Sequence, residues 1–201
     1  MDIQRRNLIA GSALAPLALL AAQSGGARPA PMAGRPLPPN VVLTTHRGQR
    51  VRFYDDLVRG DRIVVINFMY AQCGDICPGT SGNLAQVQRM LGARMGRDVF
   101  LYSISLEPRQ DTPEILAHYA ATFDAGPGWT FLTGEPAGIE RLRRSLGFVD
   151  RDPDIDRDRN QHIGMVRIGN DALGRWMACP ALGQPKQLAR EILWVGLQRS
   201  A

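Results

Sequence analysis

Lysine is almost missing from this chain of 201 residues: Lys186 stands alone, and the other basic residues are arginines. They form no stripe; Arg157 and Arg159, for example, alternate with Asp156 and Asp158. The formal charge is only +5, and about +3 once residues 1–30 are set aside. Nucleic-acid binding, which needs a clustered basic face, gains no support. A mildly basic surface suits an anionic membrane or an acidic partner equally. No internal repeat is visible. The apolar run at residues 8–22 is broken by Pro16 and falls short of the roughly 20 residues that a spanning helix needs. The seven methionines form no Met-x-x-Met cluster, so Met69 and Met165 read as core residues. Cysteine is scarce too, at three residues, but two of them stand close together.

The amino terminus addresses the compartment. The pair Arg5-Arg6 is followed by Asn7-Leu8-Ile9 and then by small apolar residues and leucines. This has the form of a secretory leader; the twin arginine matches a twin-arginine export signal, with an ordinary Sec leader as the alternative. Cleavage after Ala22 or Ala27, and retention as an anchor, both stay open. The expected location is periplasmic, where thiols oxidise unless a metal or a reductant holds them. Residues 23–40 are rich in Gly, Pro and Ala and read as linker. The expected organisation is an export signal and start of linker over 1–30, linker over 31–40, and one domain over 41–199.

Within that domain, residues 41–45 and 50–54 predict a β-hairpin, with Leu57 packed beneath it. Residues 63–68 are an uncharged β-branched run, the mark of a buried central strand. Helical periodicity covers 81–95, with Leu84, Val87 and Leu91 on one face, and 99–104 predicts a second buried strand. Asp111-Thr112-Pro113-Glu114 is a helix start, combining a capping side chain, an early Pro and an acid at the positive end. A short strand at 129–132, a helix at 136–146, a charged loop at 150–161, strands at 163–168 and 175–178 and a helix at 187–197 complete the chain. Strands alternating with helices around a cysteine-bearing turn predict an α/β domain of thioredoxin-like fold with an N-terminal β-hairpin extension.

The chemistry sits in Tyr70-Ala-Gln-Cys73-Gly-Asp-Ile-Cys77-Pro78, where the central strand hands over to a helix. Unpaired N–H groups and the positive end of the helix dipole favour thiolates there. A thiolate is both a nucleophile and a soft metal ligand, so redox chemistry and copper binding are both open. A disulfide across so short a loop would add little stability.

This turn resembles the metal-binding motif of the Sco/SenC copper chaperones. So do Ser103-Ile-Ser105-Leu-Glu107-Pro108-Arg-Gln-Asp111-Thr112-Pro113 and Trp129-Thr-Phe-Leu-Thr-Gly134. His162, just ahead of a strand, stands where that family carries its third ligand. The resemblance implies a metal site of Cys73, Cys77 and His162 holding Cu(I) or Cu(II), with zinc as the chemical competitor. His46 and His118 do not share that context. Asp75, between the cysteines, either helps retain a cation or is a solvated loop acid. Glu107 stands where the family often has Asp, which allows a supporting role near the metal; Gln161 replaces the family's usual acid before the histidine. Cys179 lies outside the pattern, either as a buried thiol or as a resolving thiol or intermolecular bridge.

The implied function is a periplasmic metallochaperone in cytochrome oxidase assembly. Its client would be subunit II of a haem–copper oxidase, at the binuclear copper centre, or another cuproprotein. The alternative is a thiol–disulfide oxidoreductase in which Cys73 and Cys77 form the redox pair, Cys73 attacking, and reduce a partner's copper-ligand cysteines with electrons from a periplasmic thiol reductant. A peroxiredoxin-like peroxidase lacks its Thr/Ser-x-x-Cys arrangement here.

Overall fold

The uncharged run at 63–68 is the centre of a sheet. The computed structural model describes residues 37–74, 76–158 and 164–197; the leader, Asp75, Gln161 and His162 lie outside them. In chain order the elements are β1 (Val42–Thr45), β2 (Arg50–Arg52), β3 (Ile63–Met69), α1 (Ile76–Leu91), β4 (Val99–Ser105), α2 (Pro113–Thr122), β5 (Trp129–Gly134), α3 (Pro136–Ser145), α4 (Pro153–Arg157), β6 (Met165–Asn170), β7 (Arg175–Pro180) and α5 (Pro185–Val195). The strands form one sheet in the order β2-β1-β5-β4-β3-β6-β7.

Every residue of β3 is buried, as expected of a strand covered on both faces. Its alternation divides the core. Ile63, Val65 and Met69 join Leu84 and Val87 of α1, Leu116 of α2 and Ile192 of α5. Val64, Ile66 and Phe68 join Ile139 and Leu142 of α3 and Phe53 and Leu57 of a wide helical turn, Phe53–Val58. Helices thus cover both faces of a sheet whose centre, β3-β4-β5, is parallel and whose flanks are antiparallel. This is the thioredoxin-like α/β arrangement, with the β1–β2 hairpin added beside β5.

Three local departures from the sequence expectation have physical causes. Helix α1 starts at Ile76, not Ser81. Pro78 lies in its first turn, where a missing N–H costs nothing, so the helix extends back through Cys77. The charged stretch after Asp150 holds a short helix, α4. Asp152 accepts a hydrogen bond from the Asp154 N–H (2.9 Å), Pro153 opens the helix, and Arg143 of α3 grips Asp156 at 2.6 and 2.8 Å. Its anchor is ionic, so apolar periodicity does not reveal it. At the start of α2 the cap is Thr112, which accepts from the Ile115 N–H; Asp111 is left to another use.

The register brings three chain ends to one rim. Met69 at the end of β3 lies opposite Ser105 at the end of β4. On the other side β6 runs antiparallel, with Val64 opposite Gly169 and Ile66 opposite Arg167. Continued by two residues, that register sets the first residue of β6 beside Phe68. The carboxyl ends of β3 and β4 therefore meet the start of β6, the usual place for ligands in such sheets.

Candidate metal centre

Between β3 and α1 the chain turns at residues 70–74, with the Cys73 N–H donating to the Tyr70 carbonyl at 3.3 Å. Cys73 and Cys77 are both buried, and no disulfide joins them. Their side chains are hydrogen-bonded to each other, so the two sulfurs can face one point. The Tyr70 side chain is hydrogen-bonded to Cys73; burial first, and then that bond, pushes its phenol up to about 12. Burial likewise holds the Cys77 thiol well above its ordinary value, helped by the bond to Cys73 and opposed by a backbone hydrogen bond from Tyr70. At Cys77 burial therefore opposes the thiolate that the helix start favours. A helix terminus contributes only about 0.3–1 kcal/mol, less than burial withdraws.

Surrounding residues fix this turn. Asp111, fully buried, accepts from the Ala71 N–H with both carboxylate oxygens (3.3 and 3.2 Å) and from the Ser105 hydroxyl at 2.5 Å. Ser105 Oγ in turn accepts from the Glu107 N–H at 2.9 Å. Sequence reasoning read Asp111 as part of a helix start. The available signal was redundancy, since Thr112 already supplies a cap and one is enough. Ser81, one turn beyond Cys77, shares a hydrogen bond with the Tyr119 hydroxyl at 3.0 Å. Asn83 donates to the carbonyls of Ala181 and Gly183 (2.7 and 2.9 Å), tying the loop after β7 to α1. Gly164, where the description resumes after residue 158, lies so close that a Cβ there would collide with Ile76, the residue before Cys77.

His162 and Asp75 lie outside the described residues. Glu107 is half-buried and near enough to Tyr70 to favour its protonated phenol. His46 Nδ1 accepts from the Phe131 N–H at 3.1 Å, a structural task. Cys179 is buried in β7 and its thiol donates to Glu191 of α5 at 2.6 Å; burial and that carboxylate push it up to about 12. Met69 is buried and Met165 packs against the α3-side core, as expected. Among the described residues, no three His, Cys, Asp or Glu side chains form a cluster able to hold a metal, and no helix is long and apolar enough to cross a membrane.

A sequence profile of the SCO1/SenC family matches residues 35–192. The chain belongs to this family. The mitochondrial SCO2 homolog of Bos taurus is 38% identical over 136 residues, which are 65% of this chain and 49% of that one. Matches to the curated relatives span between 35% and 60% of those proteins' lengths. The structure of Bradyrhizobium japonicum ScoI with copper bound superposes with a TM-score of 0.63 at 24% identity, over 80% of this chain and 99% of that one. BsSco, described as a member of the Sco family of cytochrome c oxidase assembly proteins and as having a disulfide switch, gives 0.63 at 20% identity, over 83% and 96%. These likenesses establish the fold, and relatives in the family bind copper. In this SCO1/SenC member the cysteine turn is the part of the rim built from buried thiols.

Proposed function

We propose that this protein is a periplasmic copper metallochaperone, exported by its leader, with Cys73, Cys77 and His162 as copper ligands. The observation that carries the reading is the contact of Gly164 with Ile76. His162 precedes Gly164 by two residues, a span of at most about 7 Å of chain, and Ile76 is adjacent to Cys77. Chain connectivity thus supports His162 as the third ligand beside the two buried cysteines. Two thiolates and an imidazole suit Cu(I) and can also hold Cu(II). Copper here is cargo. A client's ligands displace these three one at a time, and no covalent bond to the protein backbone or substrate need form. The client we infer is the binuclear copper centre of a haem–copper oxidase, in keeping with the family of cytochrome c oxidase assembly proteins to which BsSco belongs.

The hydrogen bond between Cys73 and Cys77 favours one second reading. A thiol–disulfide oxidoreductase would use the same pair: the two thiols give up two electrons and two protons to a partner disulfide and close on each other. Cys73, 5% exposed against 1% for Cys77, is then the attacking sulfur. Anaerobic loading of the reduced protein with Cu(I) separates the readings. One-to-one binding that falls sharply in His162→Ala supports the chaperone. Binding indifferent to that substitution, with turnover on a disulfide substrate retained, supports the oxidoreductase.

A further inference from the structure

We infer that Asp111 is the positioning residue of the cysteine turn: through the Ala71 N–H, its buried carboxylate sets the spacing of Cys73 and Cys77 on which copper affinity and the redox potential of the pair depend. The copper half of this inference rests on the function proposed above; the redox half does not. A carboxylate is rarely fully buried unless paired, yet Asp111 is 1% exposed and no cation pairs with it among the described residues. What holds it is the Ala71 N–H, two residues before Cys73, and the Ser105 hydroxyl. Ser105 stands opposite Met69, the last residue of β3, and also receives the Glu107 N–H. The Asp111 side chain therefore joins the cysteine turn to the end of β4, and Ser105 passes the connection on to the loop that follows.

A stability role alone does not require that arrangement. The helix is already capped by Thr112, and inside the turn the Cys73 N–H reaches the Tyr70 carbonyl at a long 3.3 Å. Gln72 and Gly74 are exposed, so packing fixes them little. Two sulfurs that must meet one ion, or each other, need placement to within about half an ångström. The bond to Ala71 supplies it from the strand side, while α1 fixes Cys77 from the helix side.

The test uses Asp111→Ala, Asp111→Asn and Ser105→Ala in the full mature protein. Three quantities are measured: Cu(I) affinity by competition with a chromophoric chelator, the Cys73–Cys77 equilibrium constant against glutathione without metal, and thermal unfolding. Asp111→Ala should weaken Cu(I) binding about tenfold or more and move the thiol–disulfide constant by a similar factor, about 30 mV. Asp111→Asn keeps an oxygen for the Ala71 N–H and should recover most of both. Failure of Asn to recover either quantity would overturn positioning in favour of charge. Unchanged affinity and potential in Asp111→Ala, even with a lowered melting temperature, would overturn it as well. If the wild type takes up no Cu(I), the chaperone reading falls and the potential alone decides for or against Asp111. If Asp111→Ala does not fold, Ser105→Ala takes its place, with a several-fold weakening expected and no weakening counting against the proposal.

Discussion

Gly164 and Ile76 are in contact across the rim of the sheet, and a Cβ at position 164 would displace the Cδ1 end of the Ile76 side chain. That contact joins the start of β6 to the start of α1, whose second residue is Cys77. Gly164→Val should push Ile76 away, destabilise the fold by about 1–3 kcal/mol and weaken copper binding at the same time. Urea unfolding and a copper competition titration on the same preparation check this. Wild-type values in both would remove the contact as the link between the two segments.

Arg143 and Asp156 connect α3 to α4, the last described element before residue 159, and both side chains are largely shielded. Removing the guanidinium leaves a nearly buried carboxylate with the Asp150 N–H at 2.9 Å and Arg144 at 3.4 Å, so Arg143→Ala should cost about 2 kcal/mol. The pH dependence has a definite sign. Hydrogen bonds from Arg143 hold the Asp156 carboxyl far below the usual carboxylate range. Its folded value lies below the unfolded one of about 3.9, so the stabilisation is full above that pH and is lost as pH falls through and below it. Wild type should therefore lose more stability between about pH 5 and pH 2 than Arg143→Ala does. Equal losses, measured by chemical denaturation at each pH, would contradict this.

Much of this architecture was legible in the chain because it is written in apolar patterning. The β-branched run of β3 and the alternation at the start of the domain each mark a strand, and the motif around Cys73 and Cys77 marks the site. Two things stayed hidden because polar contacts made them. Helix α4 is held by a guanidinium from another helix, and Asp111 reaches 40 residues back to Ala71. Neither partner choice leaves a periodic trace. The burial that opposes the Cys77 thiolate comes in part from residues far away in the chain, so it too leaves no local trace.

A polar line crosses the core beneath the site. The Trp129 indole N–H donates to Ser103 Oγ at 3.0 Å, and the Ser103 hydroxyl donates to Asn67 Oδ1 at 2.8 Å, linking β5, β4 and β3. All three residues are buried. Ser103→Ala strands the indole donor and the amide oxygen together, and should destabilise the protein by about 2 kcal/mol. Ser103→Thr, which keeps the hydroxyl, should cost less unless its methyl overpacks. Denaturant midpoints for the two variants distinguish a hydrogen-bonding role from a volume effect.

Cys179 and Glu191 pack β7 against α5 through a thiol–carboxylate hydrogen bond. Burial and the adjacent carboxylate raise the thiol to about 12, above its unfolded value of about 8.5. The neutral thiol is thus the folded form, and its contribution is complete below about pH 8.5 and is lost as pH rises toward 12. Cys179→Ala should lower stability at pH 7 by about 1 kcal/mol and flatten the decline seen in the wild type between about pH 8.5 and 10.5. The substitution should leave Cu(I) stoichiometry at its wild-type value, because the thiol is committed to Glu191. Mass spectrometry after brief alkylation at pH 8 offers a direct check: Cys179 should remain unmodified in the folded protein and react once the chain is denatured. Rapid labelling in the folded state, or a disulfide between Cys179 and either Cys73 or Cys77 after mild oxidation, would restore the resolving-thiol role that its contact with Glu191 argues against.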